Sequence, residues 1–158
     1  MYLHGNNSSD MNVHMNPTGA VVVPISLATT FQQSSPGVPS GRNDLNSFGL
    51  GYEYSRTGNP TRGAFERAVA AAEHACHCVA FSSGSAATSA VIHLLNCGDR
   101  VLCIDDVYGG TQRYFRRIVS DRMGIPIEFI DFRDNLDLVS IKLAAKTDDG
   151  KQVKLVWL

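Results

Sequence analysis

The stretch Ser82-Ser83-Gly84-Ser85-Ala86-Ala87 constrains this chain most, because of what flanks it. Before it, Cys78-Val79-Ala80-Phe81 is short and apolar and predicts a buried strand; after it, Ala87, Val91, Leu94 and Leu95 recur at helical spacing. A strand that turns through small polar residues into a helix leaves backbone N–H groups at the positive end of the helix dipole. Such an end accepts an anion, and phosphate is its usual guest. An ordinary serine-capped turn carries the same letters. The motif alone leaves both readings open.

From Asn59 onward, helix-like and strand-like segments alternate. Asn59 is a good N-cap and Pro60 suits the first helical position, where its missing N–H costs nothing. Phe65, Ala68, Val69 and Ala72 predict the inner face of a helix ending near His74. A strand is expected over 76–81, a helix over 86–96 stopped by Gly98, and a strand over 100–105. A helix follows over 111–122, with Tyr114, Phe115, Ile118 and Val119 inward and Gly124 at its end. A strand over 125–130, a weaker helix over 136–145 and a strand over 153–158 complete the series. Alternation at this spacing implies an α/β fold with parallel strands and right-handed crossovers.

The first 58 residues differ in character, being rich in Gly, Pro, Ser and Asn, with only Val21-Val22-Val23-Pro24-Ile25 as a compact apolar run. Residues 34–51 read as a mobile loop, and nothing in 1–58 predicts a core of its own. The segment is expected to lie across another surface.

Composition removes several function classes. Lys and Arg number 14 against 15 Asp and Glu, so no basic footprint for nucleic acid is present. No apolar run approaches the roughly 20 residues of a membrane span. The polar start, Met1-Tyr2-Leu3-His4-Gly5, lacks the layout of a secretory leader. Cys76, Cys78, Cys97 and Cys103 lie in or beside apolar segments, which suits buried, reduced thiols and a cytoplasmic location. His74-Ala75-Cys76-His77-Cys78 invites a metal reading, but structural zinc wants paired ligand spacings, and His4, His14 and His93 are too scattered to complete a set. No metal is expected.

Two further segments could carry chemistry. Tyr108, in Asp105-Asp106-Val107-Tyr108-Gly109-Gly110-Thr111, follows a strand at its carboxyl end, where open parallel sheets bind ligands. Its ring could stack on a planar group or simply pack on the helix below. Arg56 and Tyr54 precede the first helix, and a guanidinium there could fork onto phosphate or lie in solvent.

Three motifs taken together go further: Tyr54-Ser55-Arg56-Thr57-Gly58-Asn59-Pro60-Thr61-Arg62, Phe81-Ser82-Ser83-Gly84-Ser85-Ala86-Ala87-Thr88, and Asp105-Asp106-Val107-Tyr108-Gly109-Gly110-Thr111-Gln112-Arg113-Tyr114-Phe115. In this order, and with Val23-Pro24-Ile25-Ser26-Leu27-Ala28-Thr29-Thr30-Phe31 before them, they resemble the pyridoxal-phosphate enzymes of cysteine and methionine metabolism. The resemblance runs over residues 20–157. It implies the N-terminal part of the PLP-dependent transferase (aspartate aminotransferase-like) fold, a parallel sheet with flanking helices, truncated. Residues 1–58 would be an extended arm and loop, and 59–158 an incomplete portion of the large PLP-binding domain.

The resemblance also implies pyridoxal 5'-phosphate as cofactor. Its phosphate would be held by backbone amides at Gly84 and Ser85, and its ring would stack on Tyr108, the one catalytic candidate. Ser85 departs from the commoner methionine or leucine, which matters little to a backbone contact. Tyr54 and Arg56 would reach the phosphate of a neighbouring subunit, in a dimer within a tetramer. The implied reaction cleaves L-cystathionine to L-cysteine, 2-oxobutanoate and ammonia. γ-Synthesis or β-cleavage on the same scaffold, and a non-catalytic fragment that binds full-length subunits, are the alternatives. The Schiff-base lysine, the aspartate facing the pyridine nitrogen and the arginine for the substrate carboxylate are expected after Leu158. Lys142, Lys146, Lys151 and Lys154 match none of those positions, so the chain by itself is expected to be inactive.

Overall fold

The computed structural model describes residues 20–133, 136–145, 150 and 152–158. His4, His14, Lys146 and Lys151 and the polar start lie outside the described residues. The chain forms two compact units, Met1–Ala80 and Phe81–Leu158.

In the first unit, helix α1 (Pro60–Ala72) starts at Asn59, whose side-chain oxygen accepts the N–H groups of Thr61 at 2.9 Å and Arg62 at 3.1 Å. The buried side of α1 is Pro60, Gly63, Glu66 and Ala70, not the predicted face: Phe65 is 59% exposed. The reason is a close approach. A β-carbon at Gly63 would stand 1.9 Å from the carbonyl oxygen of Asn46, in the short 3-10 turn Leu45–Ser47. Only glycine lets that turn press onto the helix, and the contact chooses the buried face.

Residues 34–51, expected as a mobile loop, close around Tyr52, which is 1% exposed. Its hydroxyl donates to Asp44 Oδ2 at 2.7 Å, its amide to the Ser40 carbonyl at 2.7 Å, and its ring lies 5.4 Å from that of Phe31. The arm is stitched on by backbone bonds from Phe31 to Glu53 and from Ser55 to Thr29. Thr61 Oγ1 adds bonds to the Pro24 carbonyl and the Ser26 amide. Val21, Val22, Ile25 and Leu27 remain exposed.

Residues 76–81 are not a strand. A strand needs a ladder partner, and among the described residues none pairs with this segment; the Ala80 amide goes instead to a carboxylate oxygen of Glu66 at 2.8 Å. Cys76 and Cys97 are exposed and Cys78 half-buried, so of the four thiols only Cys103 is buried as expected.

The second unit holds helix α2 (Gly84–Ile92), strand β1 (Arg100–Ile104), helix α3 (Gly109–Tyr114), strand β2 (Ile127–Ile130), helix α4 (Leu136–Ala144) and strand β3 (Val153–Trp157). The three strands are parallel in the order β2-β1-β3, with Cys103 opposite Phe129 on one side and Trp157 on the other. Central β1 is buried on both faces, through Val101, Leu102 and Cys103, as parallel strands are. Ile92, Val101, Cys103, Phe115, Val119 and Ile125 form the core.

Several boundaries differ from the sequence reading: α2 begins at Gly84 and α3 at Gly109, each two residues earlier than expected, and β2 begins at Ile127, two residues later. Helix α2 ends at Ile92, four residues early, and Leu94 is 80% exposed. Its exit is governed by bonds beyond it, from the Asn96 amide to Asp99 Oδ2 at 2.8 Å and from the Gly98 amide to the Gly124 carbonyl at 2.6 Å. After α3 the chain continues as a π-helical turn, Phe115–Ser120, in which the Asp121 amide reaches the Arg116 carbonyl at 3.3 Å. The wider turn lays Phe115 and Val119 over one another in the core, as the inward pattern predicted.

Candidate cofactor site

Gly84 and Ser85 open α2. Ser83 is extended, at φ −161° and ψ 161°, and its Oγ accepts the Ala86 amide at 3.1 Å while its carbonyl accepts that of Ala87 at 3.0 Å. The amides of Gly84 and Ser85 stand one step earlier, where no turn of helix precedes them to accept their hydrogens. Both residues are exposed, and no acidic side chain lies in this first turn. Thr88, buried one turn on, donates its hydroxyl to the Gly84 carbonyl at 2.9 Å and fixes the turn from below.

Tyr108 caps α3 without a side-chain bond; its carbonyl accepts the Gln112 amide at 3.0 Å. The side chain is 79% exposed, and its ring lies where a β-carbon on Gly110 would stand. Ser85, Thr88, Gly110, Thr111 and Tyr114 line one small cleft, and Ser89 Oγ meets the Tyr114 hydroxyl at 3.3 Å, tying α2 to α3. The amide ridge and the tyrosine therefore share a neighbourhood at the carboxyl end of the sheet. A larger shallow cleft of about 360 Å³, lined by Val91, Leu94, Asp99 and Lys154, lies at the amino ends of β1 and β3, away from these groups.

Tyr54 and Arg56 stand together in the first unit, with the guanidinium carbon 5.2 Å from the tyrosine ring centre. Arg62 holds their loop from behind: its Nη1 donates to the Ser55 carbonyl at 2.9 Å and its Nη2 to that of Arg56 at 3.3 Å. Arg62 pairs in turn with Glu66, at 3.4 Å. The sequence reading gave Arg62, Glu66 and Thr88 no role; their partners are distant in sequence or are backbone atoms, and residue type alone does not show them.

Burial, followed by the bond to Asp44, pushes the Tyr52 hydroxyl well above the usual range and keeps it a donor. Burial pushes the Cys103 thiol up to about 11, against the pull of Arg116. At the carboxyl end of β2, Arg133 forks onto Asp131 at 2.9 and 2.8 Å and holds that carboxyl down near 2. Among the described residues, no three His, Cys, Asp or Glu side chains are grouped to hold a metal ion, and no helix is long and apolar enough to cross a membrane.

A family model for Cys/Met metabolism PLP-dependent enzymes matches residues 3–158. The chain belongs to this family. Cystathionine gamma-lyase of Rattus norvegicus is 47% identical over 152 residues, covering 92% of this chain and 34% of the relative. That of Dictyostelium discoideum is 44% identical over 99% of this chain and 35% of its own length. The crystal structure of cystathionine gamma-lyase from yeast superposes with a TM-score of 0.70 at 40% identity, over 99% of this chain and 34% of that one. The fold is thus that of the PLP-dependent enzymes, and the chain spans about a third of the length of the relatives it matches.

The family's cofactor, pyridoxal 5'-phosphate, joins an anionic phosphate to a flat aromatic ring. The residues here fit both halves. A β-carbon at Gly84 would meet nothing within 4 Å, so the space before the amide ridge is open to an oxyanion. Tyr108 offers an uncovered ring for stacking.

Proposed function

We propose that this chain forms the phosphate-gripping and ring-stacking part of a carbon–sulfur lyase that converts L-cystathionine and water to L-cysteine, 2-oxobutanoate and ammonia. The observation that carries this reading is the pairing, in one unit, of open amides at Gly84 and Ser85 with the exposed ring of Tyr108. Identity to cystathionine gamma-lyases supports the choice of reaction.

In this reading the Gly84 and Ser85 amides bind the phosphate, and Tyr108 stacks on the pyridine ring and orients it. Once bound, pyridoxal phosphate supplies an electron sink for bond cleavage next to an amino-acid carbon. Tyr54 and Arg56 donate to the phosphate in a neighbouring subunit, as a hydroxyl and a planar fork suit. Residues 1–58 act as the arm that reaches that subunit, and 59–158 belong to the PLP-binding domain; the exposed Val21, Val22, Ile25 and Leu27 support an arm that needs a covering surface. Lys142 is engaged with Glu128 at 2.7 Å, and Lys154 lies on β3 at the far end of the sheet from Tyr108. We assign the coenzyme's aldehyde to a lysine outside this chain, so that the chain alone binds but does not turn over, in the cytoplasm.

Equilibrium dialysis tests the reading. The chain should retain pyridoxal 5'-phosphate in preference to pyridoxal, with Tyr108→Ala weakening it, and should release no 2-oxobutanoate from cystathionine. Equal retention of both compounds, or turnover by the chain alone, overturns it. In a protein that supplies the rest of the domain, 2-oxobutanoate with cysteine marks γ-cleavage, whereas pyruvate with homocysteine marks β-cleavage and neither product marks γ-synthesis. The exposed apolar arm also favours a second reading, a non-catalytic chain that joins full-length subunits, which co-purification with a tagged full-length relative would reveal.

A further inference from the structure

Glu66 is an acidic residue on the buried side of α1, 9% exposed. A buried carboxylate is costly unless charged or polar partners surround it. Here a single oxygen, Oε1, accepts the Ala80 amide at 2.8 Å and faces Arg62 Nε at 3.4 Å. The Arg62 fork then spends its two outer nitrogens on the carbonyls of Ser55 and Arg56. An Arg-to-Glu pair four residues apart on a helix, in this order, is the weaker orientation and adds little by itself. Helix stability therefore does not explain the pair, whereas its two backbone attachments do. One attachment is the loop that carries Tyr54 and Arg56. The other is Ala80, at the end of the same unit.

We propose that Glu66 is a positioning residue whose Oε1, through Arg62 and through the Ala80 amide, ties the loop that carries Tyr54 and Arg56 to the chain at Ala80. The inference rests on the reading above and adds a residue that touches no ligand. Removing the carboxylate frees the Ala80 amide and leaves Arg62 without its anchor, so both segments loosen together although neither has lost a binding group.

The test uses the whole 158-residue chain, with Glu66→Ala and the isosteric Glu66→Gln, and two readouts. In amide exchange followed by NMR, Glu66→Ala should speed exchange at Ala80 and at Arg62 Nε by about tenfold or more, the loss of a charge-assisted bond, with Val101 in the sheet unchanged. In equilibrium dialysis, the preference for pyridoxal 5'-phosphate over pyridoxal should fall by about tenfold in Glu66→Ala and less in Glu66→Gln, which keeps an acceptor for Ala80. Pyridoxal affinity itself should hold, which a general loss of structure would not allow. If Glu66→Ala unfolds, Glu66→Gln decides alone: a reduced preference supports the proposal and a wild-type preference overturns it. Unchanged exchange at Ala80 and Arg62 in a folded Glu66→Ala variant also overturns it. Should the wild-type chain show no preference for the phosphorylated compound, the cofactor reading fails, and the exchange arm still decides whether Glu66 holds the two segments.

Discussion

The ring of Tyr108 stands over Gly110, its Cε1 atom 2.5 Å from the place a β-carbon on that glycine would take. The tyrosine can lie there only because residue 110 has no side chain. Gly110→Ala should leave the fold intact, since alanine favours the first turn of α3 by about 1 kcal/mol over glycine. The exposed ring must move instead. Affinity for pyridoxal 5'-phosphate should fall about fivefold, the worth of one aromatic stack, at an unchanged or raised thermal midpoint. Wild-type affinity in this variant would detach the ring from coenzyme binding.

Tyr52→Phe removes the hydroxyl bonded to Asp44 Oδ2 and leaves that oxygen short of a donor. The expected loss is about 1–2 kcal/mol, read by chemical denaturation with a probe in the first unit. Because Tyr52 clamps the chain just before Tyr54 and Arg56, amide exchange at Ser55 should rise as well.

The edge-on packing of Trp157 against Phe115, at 5.3 Å, makes the single tryptophan a reporter of the second unit's core. Phe115→Ala should cost about 3–5 kcal/mol, as expected for a fully buried phenylalanine. The Trp157 emission should shift to the red at lower denaturant than in the wild type.

Cys103 gives a pH dependence of defined sign. Its thiol is raised from 9.0 to about 11 in the folded chain. Below pH 9 both folded and unfolded forms keep the proton and no stability is lost. Between about 9 and 11 only the unfolded chain ionises, so stability should fall with rising pH by roughly 2 kcal/mol. Cys103→Ala should flatten that part of the curve. A slope equal to that of the wild type would show that other groups set it.

At the carboxyl end of the neighbouring strand β2, Asp131 should stay ionised down to about pH 2 because of the Arg133 fork. Its contribution is present above the ordinary aspartate range and is lost as pH falls through the folded value. An NMR titration of the Asp131 carboxyl checks this, and Arg133→Ala should return the midpoint to the usual range.

Local chemistry made much of this legible. Asn59 before Pro60 states where α1 begins, because a cap bonds amides two or three residues away, whereas Ser83 caps α2 two residues ahead of the expected start. Alternating apolar runs fixed the parallel α/β arrangement, and the three motifs pointed to the family. Non-local contacts were not readable. Phe65 looked like core, yet the Asn46 carbonyl at Gly63 turns the other side of α1 inward. Residues 76–81 have strand composition, but a strand exists only with a partner, and the Ala80 amide found a carboxylate instead.

The sequence by itself determined the alternation of helices and strands from Arg100 onward, the start of α1 at Asn59-Pro60 and the residues offered to an anion and a flat ring, since each depends on neighbours along the chain. The tertiary structure alone decided that Glu66 is buried between two backbone segments, that Tyr52 is clamped by Asp44, and that the Tyr108 ring rests over Gly110. A carboxylate, a phenol or a glycine has no fixed surroundings until folding brings its partners to it, and their energies depend on that burial.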